Sequence, residues 1–175
     1  MKKLISLVLL AGLFTTQVSA QKPAEDKSKR PSPPATASQK IASGATITIN
    51  YSQPSIKGRT IGKDVEPMEG KVWRTGANEA TTFETDKNVT IDGAALPAGK
   101  YGLFTIFNGD EVTVIFNKTW KQWGAFDYKM EEDVLRVKTK ASEANPSSEK
   151  VTFTISKEGQ VNLLWGNKKV SFEVK

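Results

Sequence analysis

The densest group of chemically capable side chains in the sequence is the run Trp73-Arg74-Thr75-Gly76-Ala77-Asn78-Glu79. An indole, a guanidinium, an amide and a carboxylate surround one glycine, a density of polar groups that a plain strand end does not require. As a binding loop, Arg74 can grip a carboxylate or phosphate through two parallel N–H bonds, Asn78 can both donate and accept, and Trp73 can stack on a ring. The same residues can instead form an internal network, with Arg74 paired to Glu79 to pin the loop while Trp73 fills the core. Residue types alone fit both. Arg59 follows Lys57-Gly58 on a Pro/Gly turn that either returns it to the same end of the sheet or leaves it in solvent. Trp120, Trp123 and Phe126 form a second aromatic group, flanked by Lys118, Lys121 and Asp127. Exposed, it offers a shelf for sugar stacking; buried, it plugs the open end of a core. The expected ligand-binding set is therefore Arg59, Trp73, Arg74, Asn78, Glu79 and Trp123. A small anionic or glycan ligand, or an envelope protein, is the expected partner.

Much other chemistry is excluded. The 175 residues contain no His and no Cys, so neither a Ser-His-Asp triad nor an imidazole base nor an ordinary zinc site can be assembled. No catalytic residue, metal site or cofactor is expected. A carboxylate pair for a hydrolase or lyase acting on a glycan could come from Glu79 with Asp127 or Asp133, given a separation of about 5 to 10 Å. Glu131-Glu132-Asp133 lacks the alternating spacing and glycine of a calcium loop and reads as a solvated acidic run. There is no glycine-rich phosphate loop. Asn88-Val89-Thr90 and Asn117-Lys118-Thr119 match the glycosylation sequon, which matters only in a eukaryotic secretory path. A non-enzymatic ligand- or protein-binding module leads, ahead of the carboxylate enzyme and of a structural envelope protein.

The elements that must position these residues are strands. From residue 46, Ile47, Ile49 and Tyr51 alternate with Thr46, Thr48 and Asn50, the period of a half-buried strand. Runs rich in β-branched and aromatic residues come next at 71–74, 81–85, 89–91, 101–107, 111–116, 134–140, 151–156, 160–165 and 170–174. Asp92-Gly93, Asn108-Gly109, Glu158-Gly159 and Gly166-Asn167 each imply an antiparallel hairpin. No segment keeps a helical repeat over three turns; a short helical turn is expected near residues 129–133. The expectation is all-β, an antiparallel β-sandwich of about ten short strands, preferred over a partly closed barrel.

Lys2 and Lys3, the apolar stretch after them and the small residues Val18-Ser19-Ala20 together predict a cleavable signal peptide over residues 1–20, cut after Ala20. The apolar stretch is shorter than the roughly 20 residues of a spanning helix, and no later stretch approaches that length, so no integral membrane segment is expected after cleavage. Residues 21–40 contain Pro23, Pro31, Pro33 and Pro34 among Lys, Ser and Ala, which predicts a disordered linker. A single domain then fills residues 41–175. An exported chain without cysteine must be stabilised by apolar burial alone and fits a bacterial periplasm. Of the net charge of +6, most lies before residue 41, leaving the domain nearly neutral and without the basic stripe that nucleic-acid binding needs.

The segments YSQPSIKGR (51–59), GKVWRTGANEAT (70–81), LPAGKYGLFTI (96–106), VIFNK (114–118), QWG (122–124) and DVLRV (133–137) resemble the bacterial domain-of-unknown-function family 2911. The resemblance covers about residues 36–175 and departs at IGKDVEPMEG (61–70), which lacks the aromatic residues expected there. It implies an exported, single-domain protein of no established activity and carries over no catalytic residue.

Overall fold

The computed structural model describes residues 25–175, so the expected signal peptide lies outside the described residues. Ten strands are present among them: β1 (Pro34–Lys40), β2 (Thr46–Ser52), β3 (Val72–Trp73), β4 (Thr82–Thr85), β5 (Val89–Ile91), β6 (Ala94–Leu96), β7 (Gly99–Asn108), β8 (Glu111–Asn117), β9 (Asp133–Ile155) and β10 (Gln160–Glu173). The main sheet runs β1-β2-β4-β7-β8-β9-β10 with β3 added on β7, while β5 and β6 form a separate hairpin. Every named pairing is antiparallel. The all-β antiparallel class expected from the alternation is the class observed. Helical structure among the described residues is limited to 3-10 turns at Lys27–Lys29 and Met130–Glu132, the second within the stretch where a helical turn was expected.

The layers of the fold come from one sheet that curls into a half-barrel. The first part of β9 pairs with β8 and the rest with β10, so this one 23-residue strand carries the sheet around the core. Its far part returns to the segment after β2, where the Ile56 N–H donates to the Glu149 carbonyl at 2.9 Å and the Val151 N–H to the Pro54 carbonyl at 3.1 Å. Ile47 and Ile49 of β2 point inward and are fully buried, as their alternation demands. Phe83, Phe116 and Phe172 form an edge-on seam across the core, with centroids 5.0 Å apart for the first pair and 5.9 Å for the second. Each such ring contributes about 1.5–3 kcal/mol by leaving water, the stabilisation a cysteine-free domain requires.

Three expectations are corrected. The linker expected over residues 21–40 is structured from its middle onward. Pro34–Lys40 is an edge strand fully paired with β2, with Thr36 Oγ1 donating to Asn50 Oδ1 at 2.8 Å and the Ser38 and Thr48 hydroxyls in contact. Composition undervalued it because its half-buried face is only Ala35 and Ala37 with Gln39, and its order comes from ladder hydrogen bonds and cross-strand polar pairs. Proline is tolerated as the first residue of an edge strand. Second, Gly166-Asn167 is no hairpin but a bulge inside β10, with register shifts on both sides of Gly166. Gly166 has φ 61°, and an added Cβ would come within 2.6 Å of Ile61 Cδ1, so glycine serves a close packing contact there. Third, 134–140 and, except for Ser156, 151–156 belong to the single strand β9.

Candidate functional site

β3 is only two residues long, and the loop after it is held by side chains rather than by the ladder. Trp73 pairs with Thr105 of β7 and turns its indole inward, 2% exposed. Its Nε1–H donates to the Gly76 carbonyl at 3.0 Å, stapling the loop it opens. Thr75 and Asn78 have φ of 54° and 57°, a region that a β-branched residue occupies only under strain, at about 1–3 kcal/mol. The strain is held in place by buried contacts: Thr75 Oγ1 lies 3.2 Å from Thr105 Oγ1, and Thr81 Oγ1 donates to the Thr75 carbonyl at 3.0 Å. A Cβ on Gly76 would sit 2.9 Å from Thr81 Oγ1 and 3.0 Å from the Ser52 carbonyl. The loop is closely seated.

On one side of it opens a cleft of about 350 Å³, which Arg59, Arg74, Asp64, Glu66, Met68 and Trp165 help to line. Arg74 is half-buried, and its Nε is sealed from solvent with no hydrogen-bond partner. Burial pushes its guanidinium below the usual value, with the Glu66 carboxylate pulling the other way. Arginine nonetheless stays cationic in proteins. Arg59 is exposed and backbone-tethered: Nε donates to the Ile56 carbonyl at 3.0 Å and Nη2 to that of Ser55 at 2.6 Å. Asp64 Oδ2 accepts from the Thr60 N–H at 2.8 Å, and Glu66 Oε2 from the Met68 N–H at 2.7 Å. The Trp165 indole donates to the Glu66 carbonyl at 2.8 Å. Among the described residues, no ion pair within 4.0 Å involves Arg59, Asp64, Glu66 or Arg74.

Glu79 lies on the other side and in a different electrostatic setting. Lys27 Nζ stands 2.7 Å from Oε1 and Arg30 Nη1 2.8 Å from Oε2. Burial works against its charge, but hydrogen bonds from Lys27, its own backbone and Arg30 bring its pKa down to about 2. Arg30 also pairs with Glu25 and rests 5.6 Å from the centroid of the Trp123 ring. Asn78 Nδ2 donates to the Ser32 carbonyl at 2.9 Å, so residues 27–32 form a strap across this face. The internal pairing of Arg74 with Glu79 is therefore not made. A shallow groove of about 340 Å³ runs between Glu79, Thr82 and the indoles of Trp120 and Trp123; the Thr82 hydroxyl beneath it is buried without a partner.

The six expected residues thus separate. Arg59, Trp73 and Arg74 all line the cleft. Glu79 and Trp123 meet at the groove, joined by a backbone bridge, and Asn78 holds the strap between them. Trp73 fills the core, as one of the two arrangements required, and is unavailable for stacking with its face. Trp123 and Phe126 are 52% and 82% exposed, so this aromatic group does not plug a core. A Glu79 held at about pKa 2 lacks the raised value of a general acid. Asp133 is engaged by Asn117 Nδ2 and the Tyr128 hydroxyl, each at 2.7 Å. Sequence reasoning missed Asp64, Glu66 and Met68 because they come from the loop 61–70, which has no periodicity and stands out only for its lack of aromatics. Their signal was two acids shortly before Pro67 and Met68 in a nearly neutral domain.

A family model described as "Protein of unknown function (DUF2911)" matches residues 32–174. No curated protein matches, and no solved structure does.

Proposed function

The chain belongs to the DUF2911 family, and from that premise we propose that it is a non-enzymatic binding module, exported to the periplasm, that holds a small carboxylate-bearing ligand at Arg74. One observation carries the assignment: Arg74 is a half-buried cation with a sealed, unpartnered Nε and no ion-pair partner among the described residues. A charge drawn out of water without an ion-pair partner costs stability, and a carboxylate bound at the part of the guanidinium outside the sealed Nε supplies that counter-charge. A strained, closely seated loop beside it keeps that geometry at low entropic cost on binding. Export is supported by the basic start, the short apolar stretch and the small residues ending at Ala20.

The test is a thermal-shift screen of the protein, purified from the envelope fraction of a bacterial host, against carboxylates, sugars and nucleotides. A ligand that binds only the folded state raises the melting temperature. Carboxylates raising it, with Arg74→Met abolishing the response, is the expected result; a response to neutral sugars that survives Arg74→Met rejects the assignment. Mass analysis of the same material should find Gln21 at the N-terminus. Phe126 and Met130, 82% and 62% exposed, favour a second reading in which these apolar side chains contact an envelope protein. Phe126→Ser should then weaken that contact without changing the melting temperature.

A further inference from the structure

The cleft at Arg74 is lined by two cations and two carboxylates, none of which forms an ion pair within 4.0 Å among the described residues. Arg59 is tied to backbone carbonyls of the 55–56 segment, Asp64 to the Thr60 N–H and Glu66 to the Met68 N–H. Each tie uses part of the charged group and leaves the rest, including one carboxylate oxygen of each acid, without a hydrogen-bond partner among the described residues. Opposite charges in a small volume tend to pair; here Arg59, Asp64 and Glu66 bond to backbone groups instead, and Arg74 is left without an ion-pair partner among the described residues. A ligand with only a carboxylate would satisfy Arg74 but face two like charges. A ligand with only an ammonium would face two cations. A molecule of zero net charge with both groups on adjacent atoms meets neither penalty.

We propose that the ligand of this cleft is a zwitterion, a free α-amino acid with an apolar side chain. Its carboxylate lies toward Arg74 and Arg59, its ammonium toward Glu66 and Asp64, and its side chain against Met68 and Val65. The cleft, about 350 Å³, is at the small end of ligand sites, which suits one amino acid better than a peptide. Val65 and Met68 are both half-buried, leaving apolar surface for the side chain to cover. This inference rests on the anion-binding reading and narrows it.

Titration calorimetry on the full chain separates the two. L-phenylalanine, hydrocinnamate and phenethylamine share one ring and differ in charged groups. The expected result is that phenylalanine binds at least about tenfold more tightly than either relative, the difference one charge-assisted hydrogen bond makes. Glu66→Gln should remove the advantage of phenylalanine over hydrocinnamate, and the comparison on the unaltered protein stands by itself should that variant fold poorly. Hydrocinnamate binding as well as phenylalanine overturns the zwitterion while the anion site stands. Tightest binding by phenethylamine, or no heat from any of the three at millimolar concentration, overturns both.

Discussion

Arg74 and Glu79 stand at the two ends of one loop and are treated in opposite ways. Glu79 is met by Lys27 and Arg30, and Arg30 is met in turn by Glu25 and the face of Trp123. Arg74 is drawn partly out of water, its Nε has no acceptor, and the acids that share its cleft are fastened to backbone N–H groups elsewhere. The first arrangement is complete within the chain, so it needs no ligand to explain it. The second has no such set of partners among the described residues, and lies beside a loop held by buried hydrogen bonds. The loop uses buried hydrogen bonds to hold Thr75 under strain, while the neighbouring guanidinium has no ion-pair partner among the described residues, which is the contrast the binding proposal rests on.

The comparison can be broken first at the scaffold both sides share. Trp73→Ala removes a fully enclosed indole and the staple to Gly76, and should cost about 3–5 kcal/mol in denaturant unfolding. A loss under about 1 kcal/mol would mean the loop is not anchored through the core. Gly76→Ala comes next. Its Cβ would crowd Thr81 Oγ1 and the Ser52 carbonyl, and about 1–3 kcal/mol of destabilisation is expected.

The completed side should respond less. The Glu79 side chain is 40% exposed, so solvent screening limits its ion pairs to about 1 kcal/mol or less. Glu79→Gln should therefore leave global stability almost unchanged while accelerating amide exchange in residues 27–32. Acid should do the same. The folded-state pKa of Glu79 is lowered to about 2 from 4.5, so its contribution is fully present above about pH 4.5 and lost as pH falls through about 2. Release of the strap above about pH 5, or no change on acidification, would contradict the pairing. Added salt should loosen the strap in the same direction.

How much of this the sequence disclosed depends on the range of the interactions. Asp92-Gly93 marked the β5–β6 hairpin because its geometry is local: both residues have positive φ, 47° and 84°, and any chain carrying that pair tends to turn there. Ile47, Ile49 and Tyr51 marked β2 because burial imposes period two. β1 was concealed because Ala35 and Ala37 give too weak an apolar signal, and its partner β2 announces nothing about which edge it will recruit. Gly166-Asn167 carried a turn signal, yet a bulge and a hairpin ask for the same positive φ, and only the tertiary contact with Ile61 distinguishes them. At the site, the residue types in the run 73–79 identified the loop, while the partner choice did not follow from them. Glu79 is satisfied by a strap from more than 45 residues upstream, and the acids beside Arg74 come from a loop whose conformation no periodicity encodes.

The most direct test of the contrast is the smallest expected change in stability. Arg74→Met keeps the aliphatic body and removes the charge, and its unfolding free energy can be compared with that of the unaltered protein in urea. If Arg74 is an unpaired cation awaiting a ligand, the variant should be as stable or slightly more so, because a desolvation cost has been removed, and it should lose the thermal response to carboxylates. A loss of about 3–5 kcal/mol, the signature of breaking a buried ion pair, would show instead that Arg74 is a structural member of the fold and would contradict the account.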